Sequence, residues 1–426
     1  MVHHRWIVIL STYIVETLSI GLFTAFPVLF STLLETFRES RARTATTPSI
    51  IFGVAGCSGI INGLLVQRIG PCKSGFIAGI LMGFGWMVCF FSTSILYLDL
   101  LLAVPMGIGS SVILLSVNTI LSHHFTGNAG IIALSVQSTA SGVGRILFTY
   151  ILTACSETFG LQGSLLLMGA VLLNCSILPF LWHTKQSSER TISRTLQTTT
   201  PAVETNLEKQ YFCFKCVPIL KHKIFMIFCL GAAFCLVPHI GFSIVFTDVL
   251  RNQGLSEENI TTLYFIHSLS SLVGRISFGL FKQVPRISIL SIVLLLACMS
   301  FISFSTIHLA TDFTTAAIAC FCLGFEGGAT VSAVPIGTLT ILGPQHMPSG
   351  MGFIFSVRGV GSVVVGPIIG LIRDRTGSYA MSLWTATTSA GAAAVLFLVA
   401  ILIKHREQQE KAKPHILEHD FAATKL

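Results

Sequence analysis

The chain alternates long apolar stretches with short polar ones, and the apolar stretches recur at the length a membrane demands. A helix rises about 1.5 Å per residue, so about 20 apolar residues cross a hydrocarbon layer of about 30 Å. Runs of this kind predict helices over about 6–30, 48–66, 75–95, 100–122, 130–152, 164–183, 223–246, 260–281, 287–307, 313–335, 350–372 and 380–403. Those are twelve predicted spans, and the fold class they predict is an all-α membrane protein. The first begins almost at Met1, is too long for the apolar core of a signal peptide and is followed by no small-residue cleavage site, so it is expected to stay in the mature protein.

The longest polar stretch, 184–222, contains SSERTISRTLQTTTPAVETNLEKQ. Rich in Ser and Thr and poor in apolar residues, it cannot bury a core and reads as a disordered cytoplasmic linker. It divides the chain into an N-terminal six-helix half (1–183) and a C-terminal six-helix half (223–403), followed by a polar tail (404–426) that reads like the linker. The halves carry related segments. SGVGR (141–145) is followed by ETFG (157–160), and RGVG (358–361) by RDRTG (373–377); Gly144 to Gly160 and Gly361 to Gly377 both span 16 residues. The offset of 217 also maps Glu157 onto Asp374, and 216 carries Gly63 of GLLVQRIG onto Gly279 of GLFKQVPR. Two parallel halves related by a pseudo-two-fold axis predict a solute site near the midplane between them, opened alternately to each side. This is transporter architecture.

Composition agrees. With 52% hydrophobic and 10% charged residues and a mean hydropathy of +0.80, no water-soluble core is needed to explain the sequence. Of the 26 Lys and Arg, 17 fall on the side predicted to hold both termini, 6 on the other side and 3 inside spans, which predicts cytoplasmic termini. The three arginines of FRESRAR, in the first outer loop, are a local exception. The net charge of +8 is thus a topogenic signal and gives no support for nucleic-acid binding. Most of the 12 cysteines sit in spans, where thiols behave as small apolar groups. Cys213 and Cys216 form a lone CxxC, half a zinc site at most, and HILEH (415–419) matches an inverted zinc-protease pattern with no fold around it. No metal or cofactor is expected. No HExxH, GxSxG or paired intramembrane aspartates support an enzyme, and a sensor on the same scaffold would be expected to add a folded cytoplasmic domain beyond the linker and tail.

The candidate chemistry lies in five charges inside spans: Glu16, Arg145, Arg275, Glu326 and Arg358. Each costs about 2.5 to 3.5 kcal/mol at the bilayer centre and needs a partner or a wet cavity. Predicted spans three, six, nine and twelve hold none, as expected of outer, lipid-facing helices. Arg275, in HSLSSLVGRISFGLF (267–281), stays charged at any physiological pH, and its planar fork suits a carboxylate. Glu16 and Glu326 fall near the midplane, where a carboxylate can carry a proton, neutralise a cation or sit in a packing ion pair. Arg145 and Arg358 each adjoin a GVG, which favours a packing role over a cavity one. His239 in VPHIGF and His267 are candidates for moving protons or are simply satisfied polar residues.

Several segments resemble the monocarboxylate transporter family of the major facilitator superfamily, over nearly all twelve spans. GPIIGLIRDRTGSY (366–379) is similar to that family's GPP, small-residue, D-x-TG-x-Y signature; CLVPHI, SLVGRISFG, GFEGG with AVP, and FSVRGVGSVVVGP look like family segments in order. GLLVQRIG is similar to the wider superfamily's G-x-x-x-D-R-x-G loop, with Gln67 in place of the acid. The resemblance implies alternating-access transport of a small monocarboxylate, with Arg275 on the arginine that binds substrate carboxylate in proton-coupled members. It also implies as partners a small organic anion, a proton, the bilayer of the plasma membrane and, as for some members, a single-span immunoglobulin-type glycoprotein. The chain departs from the pattern in four places. Ser271 stands where those members have an aspartate, and Val28 follows Phe26 and Pro27 where they have a lysine. The opening motif is reduced to HHRW, keeping Trp6, and HFTGNAG replaces the basic run entering span five. These departures leave a facilitative carrier of a larger or zwitterionic carboxylate as the alternative.

Overall fold

The computed structural model describes residues 2–44, 46–182, 220–284, 287–310 and 312–423. Cys213, Cys216 and nearly all of the linker lie outside the described residues, as do the side chains of Val28 and of His415 to His419. Among the described residues all regular structure is helical. Nine stretches are long and apolar enough to cross a membrane, or ten when the bent pair Thr46–Cys57 and Gly59–Ile69 counts as one span.

Two of the predicted twelve are concealed in that count. Asn128–Cys175 is one continuous run of 48 residues broken at Gly160, whose φ of 64° and ψ of −175° only glycine adopts at low cost. It therefore comprises spans five and six. Glu257–Phe281, 25 residues, is long enough for span eight; its Ser, His and Arg content holds its hydropathy down. Span one is Val2–Thr24 continued by Phe26–Phe37, span two the bent pair, span three Pro71–Val88 and span four Val104–His124. Spans seven, nine, ten, eleven and twelve are Lys223–Asn252, Ile289–Leu309, Phe313–Leu342, Met347–Thr376 and Ala380–Ala423.

The boundaries depart from the prediction in physical ways. Span one is interrupted at Ala25, just before Pro27, because proline removes a donor and crowds the preceding turn. Span two bends by 54° at Ser58. Span twelve continues as helix to Ala423, so the tail does not read like the linker. KHREQQEKAK (404–413) consists largely of good helix formers, which extend a helix already nucleated in the membrane.

We call the side bearing residue 2 the near side and the other the far side. Spans three, nine and twelve pack chiefly within their own halves and expose large apolar residues such as Phe84, Leu295 and Leu402. The halves meet along two helix pairs, span two on span eleven and span five on span eight. Small residues make the approach possible: a methyl group on Gly56 would lie 2.1 Å from the Gly359 Cα.

The same contacts recur one repeat apart. Gly144 packs on Gly21 and Gly361 on Val237; Gly63 meets Pro348, and Gly279 meets Ser135 and Ile131. Offsets of 216 and 217 convert each contact of the first half into its partner in the second, so the internal repeat of the sequence is a repeat of packing. The near-side ends of the halves touch at Gly63 with Pro348 and at Gly279 with Ser135.

Asp99, buried in the π-helical turn Leu98–Ala103 that leads into span four, explains the exceptional arginines of the first loop. Its carboxylate accepts from Arg43 at 2.8 Å and from the Thr47 hydroxyl at 2.6 Å. At least one of those arginines is a structural counter-ion.

Two stability predictions follow from these elements. Gly160→Ala meets no atom within 4 Å, so its cost is conformational, about 1–3 kcal/mol, and a lowered melting temperature of the purified protein checks it. Arg43→Ala leaves the Asp99 carboxylate buried with hydroxyl partners alone and is expected to lower the melting temperature comparably, whereas Arg38→Ala, an exposed neighbour, leaves it unchanged.

Candidate functional site

Span five presents Ser138, Ser141, Gly142 and Arg145 on one face, at i, i+3, i+4 and i+7, and this face meets span eight. Arg275 reaches across to it. Its Nη1 donates to the Ser138 carbonyl and, at 2.6 Å, to the Ser141 hydroxyl, with the side chain 4% exposed. Ser332 of span ten closes the group. Its hydroxyl donates to the Arg275 carbonyl at 3.2 Å and shares a hydrogen bond of 2.5 Å with the Ser138 hydroxyl. The guanidinium Nε is buried with no hydrogen-bond partner among the described residues. Arg275 is therefore a hydrogen-bonded tie between the two halves, made, among the described residues, through its Nη1 alone.

The repeat shows how unusual this position is. An offset of 216 places Arg275 opposite Gly59, and 217 places Ser138 and Ser141 opposite Phe355 and Arg358. At the span two and eleven contact Gly59 meets the backbone of Gly352 and Ser356 and the Cβ of Phe355. At the span five and eight contact the same place holds a cation and its acceptors. Packing is conserved between the halves and the chemistry is not.

Glu16 of span one, 3% exposed, accepts from Gln137 Nε2 at 3.1 Å, and Gln137 Oε1 in turn accepts from the Thr12 hydroxyl at 3.0 Å. No ion pair joins Glu16 to Arg275 among the described residues, although the two lie in electrostatic reach of one another. Arg145 is in reach of both Arg275 and His267, and its Nε is likewise buried without a hydrogen-bond partner. The glycine contact of Gly21 on Gly144 lets spans one and five come this close. The structure thus gathers Glu16, Arg145 and Arg275 into one region at the interface of the halves.

A second cluster lies wholly within the C-terminal half. His239 of span seven and Glu326 of span ten are in direct hydrogen-bonded contact through Nε2 and Oε1. Glu326 is fully buried and its Oε2 has no hydrogen-bond partner among the described residues; the His239 side chain is 12% exposed. The rings of Phe304 and Phe242 wall the pair, with His267 beyond Phe242 at 6.4 Å. Arg358 stands apart, its guanidinium 4.8 Å from the Phe355 ring, with no ion pair among the described residues.

The three arginines and two carboxylates sum to a formal charge of +1 with the histidines neutral. In a medium where unpaired charge is costly, that surplus calls for a counter-charge. Sequence reading located the charges but not their partners. Gln137, Ser138 and Ser141 were detectable as the polar stripe of SVQSTASGVGR, whereas the pairing of His239 with Glu326, 87 residues apart, has no signature in spacing. Gln137→Ala removes a hydrogen bond to the buried Glu16 carboxylate and is expected to cost about 1–3 kcal/mol; an unshifted melting temperature would contradict this.

The sequence profile of the Major Facilitator Superfamily matches residues 9–366. Human monocarboxylate transporter 14 is 22% identical, over 89% of this chain and 87% of its own, and mouse monocarboxylate transporter 9 is 23% identical over 93% and 92%. Among solved structures, the proton:xylose symporter XylE superposes with a TM-score of 0.69 at 13% identity, covering 92% of this chain and 95% of that one. The human organic anion transporter MFSD10 (TETRAN) gives 0.68 at 11%, covering 93% and 99%. The chain belongs to the Major Facilitator Superfamily, and within it is a divergent relative of the monocarboxylate transporters.

Proposed function

We propose that this protein is a secondary transporter that carries a small organic monocarboxylate, together with a proton, across the plasma membrane by alternating access. Secondary transport of organic solutes accords with its superfamily and its relatives. In this reading 1–183 and 223–403 are the rocking halves, 184–222 the cytoplasmic linker, and 404–426 a cytoplasmic tail. The near side is the cytoplasmic one, in line with the Lys and Arg distribution.

The observation that carries the reading is the bond from Arg275 to span five. A guanidinium that ties the halves through a carbonyl and a hydroxyl has neutral acceptors. A carboxylate is a stronger acceptor, and two parallel bonds from the fork to its oxygens exceed what the span-five groups offer. Arrival of the anion then draws Arg275 off Ser138 and Ser141 and loosens the closed near-side contact, which lets the halves rock. Release on the near side restores the tie. The binding energy is spent on exchanging one partner of a buried cation for another, so Arg275 is never left bare in hydrocarbon. The surplus charge of +1 selects for a single carboxylate, and the serine-rich face of span five offers hydroxyls to further polar groups on the solute.

The test is uptake of labelled lactate by proteoliposomes against empty liposomes. Arg275→Ala is expected to lose about 1.5–3 kcal/mol of binding, an affinity loss of about tenfold or more. Arg275→Lys should be impaired as well, since an ammonium cannot make the fork. Undiminished uptake by both variants would overturn the assignment.

A further inference from the structure

We infer that the His239–Glu326 pair is the proton site of this transporter. The inference rests on the transport reading above and names the group that would couple it. The geometry is that of an acid and a base in direct contact inside a membrane-embedded half, with the base partly exposed and the acid buried. His239 is 12% exposed while Glu326 is fully buried, so a proton enters by the imidazole and is held between the two. Gly327 makes the approach possible: a methyl group there would lie 3.1 Å from His239 Nδ1 and Cε1.

The pair is isolated from other ionic partners. On its own helices it faces Cys235 a turn before His239 and Cys322 a turn before Glu326. Span eight contributes His267, which is in electrostatic reach of His239 and of Arg145. Span eleven contributes Arg358, one turn inward of the contact between Gly361 and Val237. Span nine offers the Phe304 ring and span twelve no charge between 380 and 403. Among the described residues no arginine or lysine is paired with the Glu326 carboxylate.

The proton count closes. With Nε2–H donated to the Glu326 carboxylate the pair carries −1, and one proton, on Nδ1 or on Oε2, brings it to zero. Loading one proton here and one monocarboxylate at Arg275 adds no net charge to the protein interior. The loaded and empty carriers then cross the same electrostatic barrier, the arrangement expected of electroneutral symport. Spans eight and ten pack so tightly beside these residues that a methyl on Gly274 would lie 1.9 Å from the Phe325 carbonyl oxygen. Arg275 and Glu326, each next in sequence to that contact, are therefore at one level of the bundle.

Two readouts on proteoliposomes test this, one of them independent of any solute. A pH jump from about pH 7.5 to about pH 5.5, across the range where imidazole and perturbed carboxyls titrate, should give a transient charge displacement on a solid-supported membrane with wild-type protein. Glu326→Gln and His239→Gln should lose it, whereas Arg38→Ala, at an exposed position outside both clusters, should retain it, each variant first shown to elute as a single species. The second readout uses labelled lactate. Glu326→Gln is expected to exchange lactate across the membrane at equal pH but to lose accumulation driven by an inward proton gradient. Retention of the pH-jump signal by Glu326→Gln, or of gradient-driven accumulation, would overturn the proton site. Loss of the signal in both pair variants, beside wild-type protein that moves no lactate, would support the proton site and overturn the solute reading alone.

Discussion

The interior of this molecule is organised around the cost of a permanent positive charge at Arg275. At about 2.5 to 3.5 kcal/mol per charge in the bilayer centre, a guanidinium there has to be bonded at every stage of whatever the protein does. In the structure it is bonded across the boundary between the halves, to the carbonyl of Ser138 and the hydroxyl of Ser141. This single requirement dictates the serine stripe on span five, the small residues that let spans five and eight touch, and the Ser332 bridge from span ten. It also dictates a partner of opposite charge when the halves part. In the proposed transport cycle the cation that binds the solute also completes the closure of the carrier, so no separate latch is needed.

The pseudo-symmetry gives the same conclusion from another direction. Gly56 on Gly359 has its counterpart in Gly142 against Leu272, and Gly63 on Pro348 in Gly279 against Ile131 and Ser135. These are packing contacts, and duplication preserved them because a change on either side would wedge the halves apart. None of the charges inside the spans is preserved. Glu16, Arg145, Arg275, Glu326 and Arg358 all face an uncharged residue one repeat away. The scaffold is thus the symmetric part of the chain and the site its asymmetric part, a separation that follows when one pair of halves must rock as equals while binding an asymmetric solute.

Much of the fold was legible in the sequence because the bilayer imposes a length and a polarity on every span. The twelve stretches were visible as apolar runs, including span eight, whose Ser, His and Arg lower its hydropathy yet whose 25 residues suffice to cross. What the apolar pattern could not convey was interruption. The break at Ala25, the bend at Ser58 and the helical tail beyond Lys404 depend on proline placement, packing and local propensity, which average out over a window of that width. The site was half legible. Charges in spans are conspicuous, but their partners are serines, a glutamine and a backbone carbonyl, common residues that gain meaning only when two helices are brought together. Asp99 was overlooked for a related reason: at the end of a span it resembles a loop residue, and only the fold shows it buried on Arg43.

Hydrogen–deuterium exchange of spans five and eight, with and without lactate, tests the central claim most directly. If an anion releases Arg275 from Ser138 and Ser141, lactate should raise deuterium uptake at the near-side ends, around 128–138 and 275–284, in wild-type protein and leave Arg275→Ala unchanged. Equal uptake with and without lactate in a protein that carries it, or the same response in Arg275→Ala, would contradict the account.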